Sequence, residues 1–177
     1  MAILIVIRFS DMTLMKSNLA LIIHLIILVA ACGNGGADPP PAIVGGWRSS
    51  VQFQTGAFSS IKDLEFMYVF NLGGTMTESS NYDGAPPTPP AYGIWRRLSS
   101  REFEGKYEFY VTQAPSDVPI GAGGWLPGGR GVFVERIVLS PDGTSFTSTL
   151  VYDIFDAAGK RTSGGGQGEG RAVRFVF

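Results

Sequence analysis

The 177-residue chain holds one histidine and one cysteine, His24 and Cys32, and both lie at or before the end of its N-terminal apolar segment. Everything after Cys32 therefore lacks the side chains on which Ser–His–Asp triads, thiol nucleophiles, His-ligated zinc and thiol redox exchange depend. Carboxylates, tyrosines, hydroxyls and amines remain. A Ser-x-x-Lys match at Ser59-Ser60-Ile61-Lys62 could let a lysine activate a serine, but it lacks the Ser-Asp-Asn and Lys-Thr-Gly companions of such sites and falls in a predicted loop. Gly164-Gly165-Gly166-Gln167-Gly168 invites a phosphate-loop reading. No Gly-Lys-Ser/Thr occurs and no helix follows to aim its N-terminus at an anion, so a flexible loop is expected.

The acids divide by strand position. Glu102, Glu104 and Glu108 share one face of a strand and read as a solvated wall, while Asp142 and Asp156 open turns, where Asp hydrogen-bonds the backbone. With no Asp-x-Asp calcium spacing and no His or Cys, neither a metal nor a cofactor is expected. Glu78 is different, because it shares strand parity with Met76: if Met76 points inward, so does Glu78. A buried carboxylate needs a partner, and Arg96 or Arg97 on the next strand could supply it. With Thr75 and Thr77 inward instead, Glu78 is a surface residue. In the inward reading it could orient a polar head group, with Tyr68 or Tyr107 as neutral partners.

Aromatic side chains recur at alternate positions, with Phe66, Tyr68 and Phe70 in one run and Phe103, Tyr107 and Phe109 in another. With Met76 and Glu78 they are the candidate lining of a small-molecule pocket, although a filled core has the same composition. Trp125, in Gly123-Gly124-Trp125-Leu126-Pro127, is a large apolar residue in a Gly/Pro-rich loop and reads as a lid or docking surface.

The elements that must position these residues are strands. No stretch from Val44 onward sustains a 3.6-residue period; the chain's 24 Gly and 11 Pro punctuate runs rich in aromatic and β-branched residues. Eight strands are predicted: Val44–Phe53, Leu64–Asn71, Thr75–Ser80, Ala91–Leu98, Arg101–Thr112, Gly131–Ser140, Ser145–Phe155 and Glu169–Phe177. The loops alternate. Gln54–Asp63, Asn81–Pro90, Gln113–Arg130 and Asp156–Gly168 are long; Leu72–Gly74, Ser99–Ser100 and Pro141–Thr144 are short. In an up-and-down meander this puts every long loop at one end. The expectation is an all-β, eight-stranded antiparallel up-and-down barrel, a cup with a tight base and a loop-rich mouth, which removes exposed sheet edges and has no C-terminal helix.

The N-terminus reads as an address. Leu19–Ala31 is an apolar run broken only by His24, too short to span a bilayer and suited to a signal peptide over 1–31, with Met15 as a conventional start. Val29-Ala30-Ala31-Cys32 resembles the bacterial lipobox, in which the cysteine is lipidated and becomes the mature N-terminus. Residues 32–43 then form a lipidated Cys and Gly/Pro tether, and 44–177 the barrel. The resemblance implies a membrane partner through the lipid and a bacterial cell-envelope location, with Gly33 pointing to the outer membrane. It leaves no thiol in the folded part and so no disulfide partner. A tether joining strand one at the base would turn the mouth away from the membrane.

Gly45-Gly46-Trp47 resembles the Gly-x-Trp signature of the lipocalin-like barrels. That resemblance implies that Trp47 seals the base beneath an arginine of the last strand, Arg174 or Arg171. The folded part also resembles a group of uncharacterised small secreted bacterial proteins in Gly73-Gly74-Thr75-Met76-Thr77-Glu78, Tyr92-Gly93-Ile94-Trp95, Ile137–Gly143 and Phe155–Gly159, which implies a fold and no activity.

From Cys32 onward the chain has 14 acidic and 12 basic side chains, without the basic stripe that nucleic-acid binding needs. The first reading is a lipid-anchored, non-catalytic barrel that binds a small hydrophobic ligand. The second is a cavity-less module whose long loops bind a protein or glycan. An isomerase-like enzyme using Glu78 or tyrosines, and a membrane-embedded barrel suggested by Val173, Phe175 and Phe177, are weaker. For the last, Arg96-Arg97 and Glu135-Arg136 would each place a charge in lipid.

Overall fold

The computed structural model describes residues 41–82, 89–114 and 125–177. The export segment, Cys32 and the tether through Pro40 lie outside the described residues, as do parts of the third and fifth loops.

Eight strands follow in chain order: β1 (Gly45–Phe53), β2 (Leu64–Phe70), β3 (Thr75–Ser80), β4 (Ala91–Arg97), β5 (Glu102–Gln113), β6 (Leu126–Leu139), β7 (Ser145–Phe155) and β8 (Gly166–Arg174). Each pairs antiparallel with the next, and β1 pairs with β8 from Trp47↔Arg174 to Phe53↔Gly168, closing the barrel. The described residues contain no helix. Period-two alternation sets the inside: Leu64, Phe66, Tyr68 and Phe70 of β2 are buried while Glu65, Met67 and Val69 face out.

The base is closed by side chains from the first and last strands. Trp47 is fully buried, and the guanidinium of Arg174 lies over its ring, Cζ 4.2 Å from the centroid. Arg174 donates to the carbonyls of Gly143 at 3.1 Å, Val44 at 2.8 Å and Ala42. The indole of Trp47 donates to Ile43 O at 2.8 Å. Gly45 has φ 131°, and a Cβ there would stand 2.8 Å from Arg174 Nη1, so glycine suits both backbone and space. Arg171, the alternative cover, is exposed.

Several predicted boundaries move. Ile43, assigned to the tether, is fully buried, so the folded unit reaches back to the turn at Pro41. Strand β6 starts at Leu126 instead of Gly131, because Leu126, Pro127 and Gly129 pair with the end of β5, with Gly128 the extra residue at a register shift opposite Val111/Thr112. Strand β8 starts at Gly166 instead of Glu169 and ends at Arg174. Gly166 and Gly168 fall in a predicted loop, but a Cβ at Gly168 would come 2.6 Å from the Phe53 ring; within the predicted strand, one at Gly170 would come 2.6 Å from Ser148 Oγ. A wall of Gly168, Gly170 and Ala172 lets large side chains of other strands fill the interior.

Candidate functional site

The inward positions form three levels. The lowest holds Trp47, Phe70, Met76, Trp95, Phe103, Leu139 and Phe146, all buried. The uppermost is a stack of rings in which Phe133 touches Tyr107, Phe109 and Tyr152 at centroid distances of 5.1, 5.3 and 5.3 Å. Phe58, from the loop after β1, adds to it by lying 4.8 Å from Tyr152, and its backbone N donates to the Tyr152 hydroxyl at 3.1 Å.

Between these levels lies a polar layer. Glu78 of β3 and Glu135 of β6 are 5% and 0% exposed, and they are the only buried charged side chains among the described residues. Tyr68 of β2, Tyr107 of β5 and Ser148 of β7 share the layer. Tyr107 donates to Glu135 Oε2 at 2.9 Å. Tyr68 Oη, Glu78 Oε1, Glu135 Oε1 and Ser148 Oγ have no hydrogen-bond partner. Burial disfavours the charged form of each acid. The pKa of Glu78 is pushed up to about 8, first by loss of water and then by the charge of Glu135. That of Glu135 is raised by burial and held back by the nearby hydroxyls of Ser148, Tyr107 and Tyr68. The hydroxyls of Tyr68 and Tyr107 are raised well above their ordinary value, first by burial and then by the charge of Glu135. At neutral pH Glu78, whose pKa is about 8, therefore favours its protonated form.

Above this layer a cavity of about 430 Å3 opens between loop one, the end of β3 and the β5–β6 hairpin. Phe58, Phe66, Phe109, Phe133 and Trp125 give it an apolar lining, and Glu78 borders its inner end, one inward position deeper on β3 than Ser80. Gly131 permits the lining, since a Cβ there would overlap the ring of Phe109.

Of the nine predicted lining residues, Phe66, Glu78, Phe109 and Trp125 meet at the cavity. Tyr68, Phe70, Met76, Phe103 and Tyr107 do not; they are fully packed below it. The partner expected for Glu78 is also corrected. Arg96 lies outside and pairs with Glu104, which Arg136 also meets at 3.0 Å, while Arg97 donates to Ser99 O at 2.8 Å. Arg96 points out from β4, and Arg97, which has the parity of Trp95, is exposed at the base end of the strand, so neither reaches Glu78.

Two residues escaped sequence reasoning. Glu135 shares parity with buried Phe133, Ile137 and Leu139, a signal blurred by Val132, Val134 and Val138 on the other face. Phe58 sits in a loop without periodicity. The Ser-x-x-Lys match has no catalytic geometry, since Ser59 Oγ donates to Gly56 O at 2.9 Å and Lys62 is exposed. Asp142 and Asp156 hold their own turns; the hydroxyls of Ser140 and Thr144 lower Asp142 to about 2. No group of three metal-ligating side chains occurs among the described residues. Comparison with protein-family models, with curated proteins and with solved structures found no match.

Proposed function

We propose that this barrel is a non-catalytic binding protein that holds one small, mainly apolar molecule at its mouth, and that a lipid on Cys32 keeps it at the bacterial cell envelope. The observation that carries the binding reading is the 430 Å3 cavity, which has seven aromatic side chains around it and, at its inner end, an acid whose Oε1 has no hydrogen-bond partner. Its volume is within the range of small-molecule sites, and its balance of many apolar groups to few polar ones is that of a site that reads shape first. Tight packing of the lower barrel supports the same reading. A rigid floor keeps the upper rings in place, so little ordering cost accompanies binding.

Phe66, Glu78, Phe109 and Trp125 border the cavity, as expected of a pocket lining inside the cup, whereas Tyr68, Phe70, Met76, Phe103 and Tyr107 lie below it. Those side chains act instead as the support under a shallower site. Without His or Cys among residues 33–177, and with each outer-face carboxylate engaged by arginines or turned to water, catalysis has little to draw on.

The test is native mass spectrometry of freshly purified protein together with titration of the uncharged dye Nile red. A co-purifying small molecule, or saturable dye binding that Phe66→Trp weakens by filling the cavity, supports the reading. A protein that is empty and binds no apolar probe overturns it and leaves the loop-mediated interaction module.

A further inference from the structure

The inner end of the cavity is where an apolar space meets a buried acid, and this juxtaposition restricts the ligand's chemistry. Glu78 is 5% exposed, borders the cavity, and its Oε1 has no hydrogen-bond partner. The groups facing it are Tyr68 from β2, Tyr107 from β5 and Glu135 from β6; the inward residues of the adjoining β4 are Ala91, Gly93 and Trp95, which do not titrate. Every facing group is neutral or negative.

We propose that the cavity takes an apolar molecule bearing a protonated amine, seated with its ammonium against Glu78 and its body among Phe58, Phe66, Phe109 and Phe133. The proposal rests on the small-molecule reading above and deepens it. An ammonium supplies donors and positive charge where the barrel has acceptors and negative charge, and the aromatic faces around the cavity attract cations as well. A carboxylate or phosphate ligand would meet two acids and no base. A bare metal ion is a poor fit, because two carboxyls and neutral phenols fall short of the oxygen shell a hard cation requires.

The proton balance is explicit. At pH 7 Glu78 carries a proton, so binding of the ammonium releases that proton and leaves a carboxylate–ammonium pair. Affinity for the amine should rise about tenfold per pH unit between pH 6 and 7.5 and level off near 8. A neutral ligand of the same shape, which accepts a hydrogen bond from protonated Glu78, should show no such rise.

Isothermal titration calorimetry of the purified full chain with 2-(1-naphthyl)ethylamine and its matched alcohol, 2-(1-naphthyl)ethanol, tests this in two buffers of different ionisation enthalpy. The expected result is tighter binding of the amine, by about tenfold at pH 7.5, with proton release. In Glu78→Gln, which resembles the protonated acid and should leave the fold intact by near-ultraviolet circular dichroism, the amine should fall to the level of the alcohol. The alcohol itself should be unaffected. Equal or better binding of the alcohol without proton release overturns the amine proposal and leaves the cavity reading standing. If neither compound binds, both fail.

Discussion

Among the described residues, every buried side-chain nitrogen and oxygen at the base of the barrel has a hydrogen-bond partner; one level higher, four have none. Arg174 reaches three backbone carbonyls and a π-face, and the indoles of Trp47 and Trp95 donate to Ile43 O and Asn71 O. The difference follows from location. At the base the turns and the incoming segment at Pro41–Val44 offer carbonyls that no strand uses. In the middle the backbone is consumed by the ladder, so a side chain can pair only with other inward side chains. Those are Tyr68, Tyr107, Ser148 and a second acid. An acid held there lowers stability unless it is neutralised, and natural proteins keep such groups mostly at functional sites. The base is built for closure, and the middle has the character of a site.

The strongest test of this contrast is at the base. Trp47→Ala removes the fully buried side chain on which Arg174, Phe146 and Ile43 rest, and should cost about 3–5 kcal/mol, read as a shift in the urea midpoint. A smaller loss would mean that closure does not depend on the indole.

Next comes the middle, read by pH. The folded pKa of Glu78, about 8, is above its unfolded value near 4.5, so the folded state holds the proton more tightly. Its contribution to stability is complete below about pH 4.5 and is lost as the pH rises towards 8, at up to about 1.4 kcal/mol per unit. Thermal unfolding should therefore show a falling Tm between pH 5 and 8, and Glu78→Gln should flatten that fall and be the more stable protein at pH 8. A profile that rises over this range would place Glu78 outside the interior.

A smaller effect is expected from Arg174→Met, which keeps apolar cover over Trp47 but removes the charge and its hydrogen bonds. About 1–2 kcal/mol should be lost, with little dependence on pH. Smallest is Arg96→Ala. Its pair with Glu104 is on the exposed outer wall, so chemical denaturation should report a change under about 1 kcal/mol, falling further with added salt.

Much of this architecture was legible. Arg101–Thr112 alternates so cleanly that its inward face, Phe103, Gly105, Tyr107, Phe109 and Val111, is legible from residue types, and the first three are buried while Phe109 and Val111 are half-buried near the mouth. The alternation of long and short connections gave the mouth and base. The beginnings of β6 and β8 were hidden because glycine and proline normally mark loops. Of the glycines there, Gly168 is a strand residue whose missing side chain makes room for Phe53, and Gly129, at φ 127°, lies against the carbonyl of Phe155. Glu78 was half legible. Its parity with Met76 was plain, but Thr75 and Thr77 could have occupied the inside equally well. Glu135 was not legible at all, because apolar residues flank it on both faces of β6.

The sequence alone determined the absence of thiol and imidazole chemistry after Cys32, the number of strands and the order in which they meet. These depend on residue identity, on period-two patterning and on loop length, all of which are local. Only the tertiary structure decided that Glu78 and Glu135 share one buried layer, that the lower cup is filled, and that a cavity remains at the rim. These depend on how side-chain volumes from separate strands add up at one height of a closed barrel. The ring of Phe58 from loop one and the missing side chains of β8 enter that sum together, and no stretch of the chain contains it.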